Sequence, residues 1–236
     1  MPTIREHTMT LPMTLPVLYS LRNCPYAMRA RLAIYASGQQ VHIRDLVLSD
    51  KPAELMAASP KATVPVLVIT DNALMDQCHV IDESLAIMLW AFSQTDPDHY
   101  LHSQSTTALP EMLAIITQFD TEFKGLLEQY RCSKRYHEPT LTQDRQACEQ
   151  YLGNLESRLT QHQYLLSDNP SLLDLALMPF IRQFARVERQ WYLQAPYPQL
   201  RRWLDHYLQS KMFTKVMAQY PLWLESKQDH VFGKPQ

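Results

Sequence analysis

Short apolar runs alternate with helical patterns in the chain that follows Pro16. The runs at 17–19, 41–47, 64–69 and 73–78 predict strands, and apolar spacing predicts helices over 24–36, 52–58 and 82–92. In this order, β-α-β-α-β-β-α, the helix between the first two strands implies a parallel pair. A turn at Asp71-Asn72 implies that the last two strands form a hairpin. The pattern therefore predicts an α/β domain over residues 16–95, built on a small mixed sheet.

From residue 101 onward, apolar positions recur only at helical spacing, which predicts an all-α domain over residues 101–224. The stretch 172–184 is apolar nearly all round, as expected of a helix at the centre of a bundle, and Pro179 predicts a kink in it. Ser171 and Asp174 have capping-box spacing at its start. We expect a flexible N-terminal tail over residues 1–15 and a C-terminal tail over residues 225–236.

The amino-acid composition argues against several classes of protein. The chain has only four glycines, so neither a dinucleotide-binding glycine fingerprint nor a P-loop can be written with them. The formal net charge is −2 and is spread evenly, which gives no indication of a nucleic-acid or membrane partner. Four cysteines are too few for a disulfide scaffold of this length. We therefore expect a cytoplasmic protein.

The thiol of Cys24 is the strongest candidate for a catalytic nucleophile, because Cys24 lies between a predicted strand and a helix that begins with Pro25. Free amides and the helix dipole stabilise a thiolate at such a position, so we expect a lowered thiol pKa. The alternative is an inert buried cysteine. Cys78 is expected in a strand and Cys148 in the core, and Cys132 lies in a basic stretch with no assigned role. The histidines show no paired ligand spacing, so no metal is expected.

Several motifs together resemble one family. Cys24-Pro25-Tyr26-Ala27 is similar to the redox motif of glutaredoxins and of cysteine-type glutathione transferases. Val64-Pro65 resembles their cis-proline pair, and Glu83-Ser84 resembles the start of the helix after their fourth strand. The segment 171–185 resembles the central helix of the transferases' second domain. The resemblance covers most of the chain, is nearest to omega-like bacterial glutathione transferases, and implies a thioredoxin-like domain followed by an all-helical one.

The resemblance also implies a glutathione site. Val64 would pair its backbone with the cysteinyl unit of glutathione, presented by a cis bond to Pro65. Ser84, at a helix N-terminus, would hold the γ-glutamyl carboxylate, and Glu83 would accept from the ammonium group. Lys51 matches the position that neutralises the glycyl carboxylate. Without the resemblance, Glu83-Ser84 reads as a helix cap, Lys51 as a solvated lysine and Val64 as an ordinary residue before a strand.

A pocket for a second substrate is expected between the two domains. Tyr26, Phe123 and Tyr130 are the candidates for its wall, although most of the apolar stripe on that helix must be core. Ala27 stands where a resolving cysteine would be, so no disulfide can form within the motif.

The sequence favours a glutathione-dependent thiol transferase or reductase that uses Cys24 as a single thiol on glutathione mixed disulfides or small oxidants. Glutathione is then a cosubstrate, and the other partner is a small electrophile or disulfide. The alternatives are a glutathione-conjugating transferase and a binding module of the same fold with little catalysis. The resemblance implies a homodimer.

Overall fold

The computed structural model describes residues 14–70 and 78–234. Most of the expected N-terminal tail and most of the expected fourth strand at 73–78 lie outside these residues. The described residues form an α/β domain followed by a helical one, which confirms the predicted fold class.

The first domain is built on a mixed five-stranded sheet with the strand order β4-β3-β1-β2-β5. Its strands are β1 (Val17–Ser20), β2 (Gln40–Asp45), β3 (Val66–Thr70), β4 (Cys78–Ile81) and β5 (His230–Gly233). β1 and β2 are parallel and β3 and β4 pair antiparallel, as the sequence predicts. β3 also pairs antiparallel with β1, which the sequence pattern left open. Side chains alternate between the two faces, so Leu18 and Tyr19 enter separate hydrophobic clusters.

The fifth strand corrects the expectation of a C-terminal tail over residues 225–236. β5 pairs antiparallel with β2, and Phe232 lies opposite Val41. The Phe232 ring is 2% exposed and belongs to the main core. Gly233 takes a φ of 132°, and a Cβ there would come 2.0 Å from the carbonyl oxygen of Gln39. Only glycine fits at that point.

Three helices belong to the first domain: α1 (Pro25–Ala36), α2 (Ala53–Ala58) and α3 (Ser84–Gln94). α1 begins with proline at its first position and is followed by Gly38, which has a φ of 74°. Leu55 of α2 packs in the cluster on the opposite face of the sheet from α1 and α3. The sheet is thus covered by helices on both faces.

The second domain is entirely helical where the structure describes it. Its helices are α4 (Ala108–Gln118), α5 (Lys124–Tyr136), α6 (Leu141–Gln161), α7 (Leu172–Ala185), α8 (Arg189–Gln194), α9 (Pro198–Leu208), α10 (Lys211–Val216) and α11 (Trp223–Ser226). A π-helical turn over Phe119–Phe123 joins α4 to α5. α7 is buried along almost its whole length, as predicted for the central helix, and Pro179 lies inside it.

A buried guanidinium joins the two domains. Arg29 on α1 is fully buried and forms a bidentate ion pair with Asp120 in the π-helical turn, with both N–O distances 2.7 Å. Its Nε donates to the carbonyl of Ala176 on α7 at 2.6 Å, and its Cζ lies 4.5 Å from the ring centroid of Phe180. A buried cation is tolerable only when its donors are paired in this way.

The carboxylate of Asp174 organises the start of α7. It accepts from the Ser171 amide at 2.9 Å, from the Leu165 amide at 3.0 Å and from the indole Nε1 of Trp203 at 2.8 Å. The predicted capping box between Ser171 and Asp174 is confirmed. Because Leu165 precedes α7 and Trp203 lies on α9, one buried side chain holds three segments of the domain together.

Replacement of Asp174 by alanine should therefore be strongly destabilising. Three buried N–H donors lose their acceptor, so we expect a loss of about 3 kcal/mol or more in the free energy of unfolding, measured by urea denaturation. Asp205→Ala is the matched control, because Asp205 is exposed on α9, close to Trp203 in sequence. The control should change the unfolding free energy by about 0.5 kcal/mol or less. Similar losses in both variants would contradict the role given to Asp174.

Candidate active site

Cys24 is placed by the junction between β1 and α1. After β1 ends, a turn closes with the Cys24 amide donating to the Leu21 carbonyl at 3.0 Å. Cys24 then caps α1 in an extended conformation, with φ −76° and ψ 124°, and Pro25 occupies the first helical position. The thiol thus lies at the helix N-terminus, where the amides of Ala27 and Tyr26 can hydrogen-bond to it.

Burial dominates the protonation of this thiol. It raises the pKa of Cys24 above the ordinary thiol value, although the Ala27 and Tyr26 amides act in the opposite direction. The lowered pKa of Cys24 expected from the sequence is therefore wrong. Removal of the thiolate from water destabilises the charged form more than hydrogen bonds from the two backbone amides stabilise it.

The loop before β3 faces the thiol. The bond between Val64 and Pro65 is cis, which confirms the prediction. The Cys24 Sγ lies 3.9 Å from the Val64 carbonyl oxygen, within reach of an S–H···O contact. Val64 is 6% exposed, so this carbonyl belongs to a well-packed loop. Cys24 and the Val64-Pro65 pair, which are 40 residues apart in the sequence, therefore form one site.

The residues expected to hold the γ-glutamyl group lie at the start of α3. Ser84 is the first residue of that helix and is 6% exposed, and Glu83 caps it without a side-chain capping bond. The Glu83 carboxylate is exposed and is 2.5 Å from the ammonium of Lys61, which also lies 3.4 Å from the Asp82 carboxylate. The Ser59 hydroxyl donates to Asp82 at 2.9 Å and, as the main cause, lowers the pKa of Asp82.

Lys61 was not anticipated from the sequence. The one indication in the sequence is that Lys61 lies three residues before the Val64-Pro65 pair, in the same loop. The structure places that loop beside the start of α3. Lys51 lies in the connection between β2 and α2, is half-buried, and forms no ion pair with a carboxylate in residues 14–70 or 78–234. Its role toward a glycyl carboxylate stays a prediction.

Cys24 opens onto a cavity of about 430 Å³ between the two domains. Tyr26 lines it, as expected, and packs edge-on against Phe180 with the ring centroids 5.1 Å apart. The Lys124 ammonium lies 4.7 Å from the centroid of the Tyr26 ring. The wall of this cavity thus combines the aromatic rings of Tyr26 and Phe180 with charged side chains of both signs.

Two expected wall residues belong instead to the core. Phe123 is 0% exposed and stacks on Phe119 with the centroids 4.3 Å apart. Tyr130 is also 0% exposed, and its hydroxyl donates to the Glu188 carboxylate at 3.0 Å. Both lie on the face of their helical segment that points into the bundle. A stripe of apolar residues at helical spacing does not reveal which members border a cavity.

No cluster of His, Cys, Asp or Glu suited to a metal ion occurs among the residues that the structure describes. None of the helices over the same ranges combines the length and the apolar character that crossing a bilayer requires. The four cysteines are all free thiols.

A thiol at the start of the first helix, facing a cis-proline loop, defines a thioredoxin-like domain, here followed by a helical one. Residues 18–99 match the glutathione S-transferase N-terminal domain family, and residues 138–206 match the glutathione S-transferase C-terminal domain family. The chain therefore belongs to the glutathione S-transferase family.

Individual relatives agree with this assignment. The chain is 26% identical to glutathione S-transferase omega-1 of Mus musculus over 189 residues, which are 79% of this chain and 74% of the relative. A glutathione transferase family member from Pseudomonas fluorescens, solved with two glutathione bound, has a TM-score of 0.74 at 17% identity and covers 86% of this chain and 92% of its own. A glutathione transferase from Pseudomonas putida, solved with one glutathione disulfide per subunit, has a TM-score of 0.74 at 16% identity and covers 89% and 93%.

The raised pKa of Cys24 predicts a slow, strongly pH-dependent thiol. Because only the thiolate reacts with iodoacetamide, alkylation of the Cys24 peptide, followed by mass spectrometry, should accelerate with pH around a midpoint above the ordinary value for a cysteine thiol. Alkylation of free glutathione in the same buffers controls for the reagent. A midpoint well below that value would show that the helix N-terminus outweighs burial.

Proposed function

We propose that this chain is a glutathione-dependent thiol transferase in which Cys24 acts as a single nucleophilic thiol. The contact between Cys24 and the Val64 carbonyl carries the proposal, because it sets the thiol beside the backbone expected to pair with the cysteinyl unit of glutathione. The likeness to an omega transferase and the glutathione-bound neighbours support it.

The reaction proceeds in two exchanges. The Cys24 thiolate attacks the glutathione sulfur of a mixed disulfide, a new sulfur–sulfur bond forms, and the other thiol leaves as its thiolate. The thiolate of a second glutathione then attacks the sulfur of the bound one, which releases glutathione disulfide and restores the Cys24 thiolate. Ala27 offers no second thiol for an internal disulfide, so the resolving thiol comes from outside the chain. The proton lost from Cys24 passes to solvent through the interdomain cavity.

The peptide part of glutathione is held by polar groups around this thiol. Val64 pairs with the cysteinyl backbone, the N-terminus of α3 with Ser84 takes the γ-glutamyl carboxylate, and Lys51 takes the glycyl carboxylate. Glu83 accepts from the γ-glutamyl ammonium, which then competes with Lys61 for the same carboxylate. The proposal includes a homodimer in the cytoplasm, where the four free thiols stay reduced.

Removal of the thiol tests the mechanism directly. Cys24→Ser should abolish thiol transfer from a mixture of 2-hydroxyethyl disulfide and glutathione, because a hydroxyl does not form the mixed disulfide. Cys78→Ser is the control, since Cys78 is exposed on β4, and it should keep full activity. Wild-type protein that binds glutathione but shows no transfer would overturn the proposal in favour of a binding module. Conjugation of an aryl halide that survives Cys24→Ser would favour a conjugating transferase.

The role given to Glu83 is tested separately by glutathione affinity. Glu83→Gln removes the charge that meets the γ-glutamyl ammonium, and we expect the Kd for glutathione, measured by calorimetry, to rise by about tenfold. Glu225→Gln is the matched control, since Glu225 is exposed on α11 and is expected to leave the affinity unchanged. An unchanged Kd in Glu83→Gln would remove Glu83 from the site.

A further inference from the structure

A second cavity adjoins the Cys24 pocket and is strongly basic. It has a volume of about 490 Å³ and shares Pro25, Glu128, Arg131 and Gln183 with the pocket that Cys24 lines. Its cationic side chains come from the C-terminal half of α5, the last turn of α7 and the residue that caps α7, and Glu128 is the one carboxylate among its described lining residues. The cationic residues are Arg131, Lys134, Arg135, Arg182 and Arg186. We refer to this cavity as the basic cleft.

Part of this positive charge has no partner in the protein. Arg131 pairs with Glu128, and Lys134 lies 3.8 Å from Glu188. Within residues 14–70 and 78–234, Arg182 and Arg186 have no carboxylate within ion-pair distance. Burial, followed by the charges of Arg186 and Arg22, lowers the pKa of Arg182. Guanidinium groups that repel one another beside a cavity are in a favourable position to bind an anion.

The C-termini of α5 and α7 account for only part of this charge. Each helix end carries about half a negative charge, which favours cations in the last turn. With Glu128 and the Glu188 carboxylate beside Lys134 also counted, about two positive charges remain unmatched around the basic cleft. Arg131, which lines both cavities, brings this excess to the edge of the pocket that Cys24 lines.

We propose that the basic cleft binds the carboxylates of the thiol that releases Cys24 from its mixed disulfide, so that the enzyme selects an anionic peptide thiol such as a second glutathione. This inference rests on the proposed function. The incoming thiol loses its proton to water, and its thiolate attacks the glutathione sulfur. The bond from that sulfur to Cys24 breaks, and Cys24 leaves with the electron pair as a thiolate. The cleft acts by raising the local concentration of anionic thiols and by favouring their thiolate form.

The second exchange can be isolated in the laboratory. Cys24 is first loaded with glutathione disulfide in a Cys78→Ser/Cys132→Ser background, and loading is verified by mass spectrometry. Release is then followed with three probes of similar size and different charge: 2-mercaptoethanesulfonate (anionic), 2-mercaptoethanol (neutral) and cysteamine (cationic). Each rate is divided by the rate of the same probe with free glutathione disulfide, which removes differences in intrinsic thiol reactivity.

We expect the normalised rate of the sulfonate to exceed that of cysteamine by about tenfold or more at low salt, and the preference to shrink at high salt. In Arg186→Gln the preference should fall about threefold or more, since that side chain is exposed and its loss does not disturb packing. Arg182→Gln should act in the same direction, and Arg182→Lys should restore the preference because it keeps the charge.

Arg202→Gln is the matched control, because Arg202 is an exposed arginine on α9 that lines a different cavity. It should leave the preference unchanged. Normal loading of Cys24 with equal normalised rates for the three probes would overturn this inference alone. An anion preference that Arg186→Gln and Arg182→Gln leave intact would also overturn it. Failure of Cys24 to accept glutathione would overturn the proposed function, and the inference with it.

Discussion

The paired guanidinium of Arg29 is the constraint on which the arrangement of the two domains depends. It ties α1, the helix that carries Cys24 at its start, to the π-helical turn and to α7 in one contact. Two residues further along α1, Arg31 lies on the opposite side of the helix and is bound to Ser20, Asp45 and the Val216 carbonyl. α1 is therefore held from both sides by charged hydrogen bonds.

These buried pairs add directionality that apolar packing lacks. A continuous hydrophobic core spans both domains, and the burial of apolar surface that stabilises it has no preferred direction. A bidentate pair to Asp120 and a bond to the Ala176 carbonyl have a single geometry. The position of the Cys24 thiol relative to the cavity between the domains follows from that geometry. Burial of the thiol, and with it the raised pKa, is a result of the same packing.

Features of the site that depend on neighbouring residues were predictable from the sequence, and those that depend on distant ones were not. Local backbone chemistry predicts two of these features, the helix that begins at Pro25 and the capping box at Ser171. A local motif predicts the third, the cis bond at Val64-Pro65. The Arg29 pair joins residues 91 positions apart, and no periodicity reveals it. The burial of Tyr130 depends on how the helices rotate against one another, which a helical stripe alone leaves open.

The position of β5 at the edge of the sheet has a consequence for how the chain is assembled. β5 pairs with β2, yet it follows every helix of the second domain in the sequence. During synthesis, the first domain therefore emerges from the ribosome with β2 as an open edge, and the sheet is completed only after the helical domain has been made. An exposed strand edge is a site of mispairing between chains, so the interval before β5 arrives is the period when newly made molecules are most exposed to aggregation.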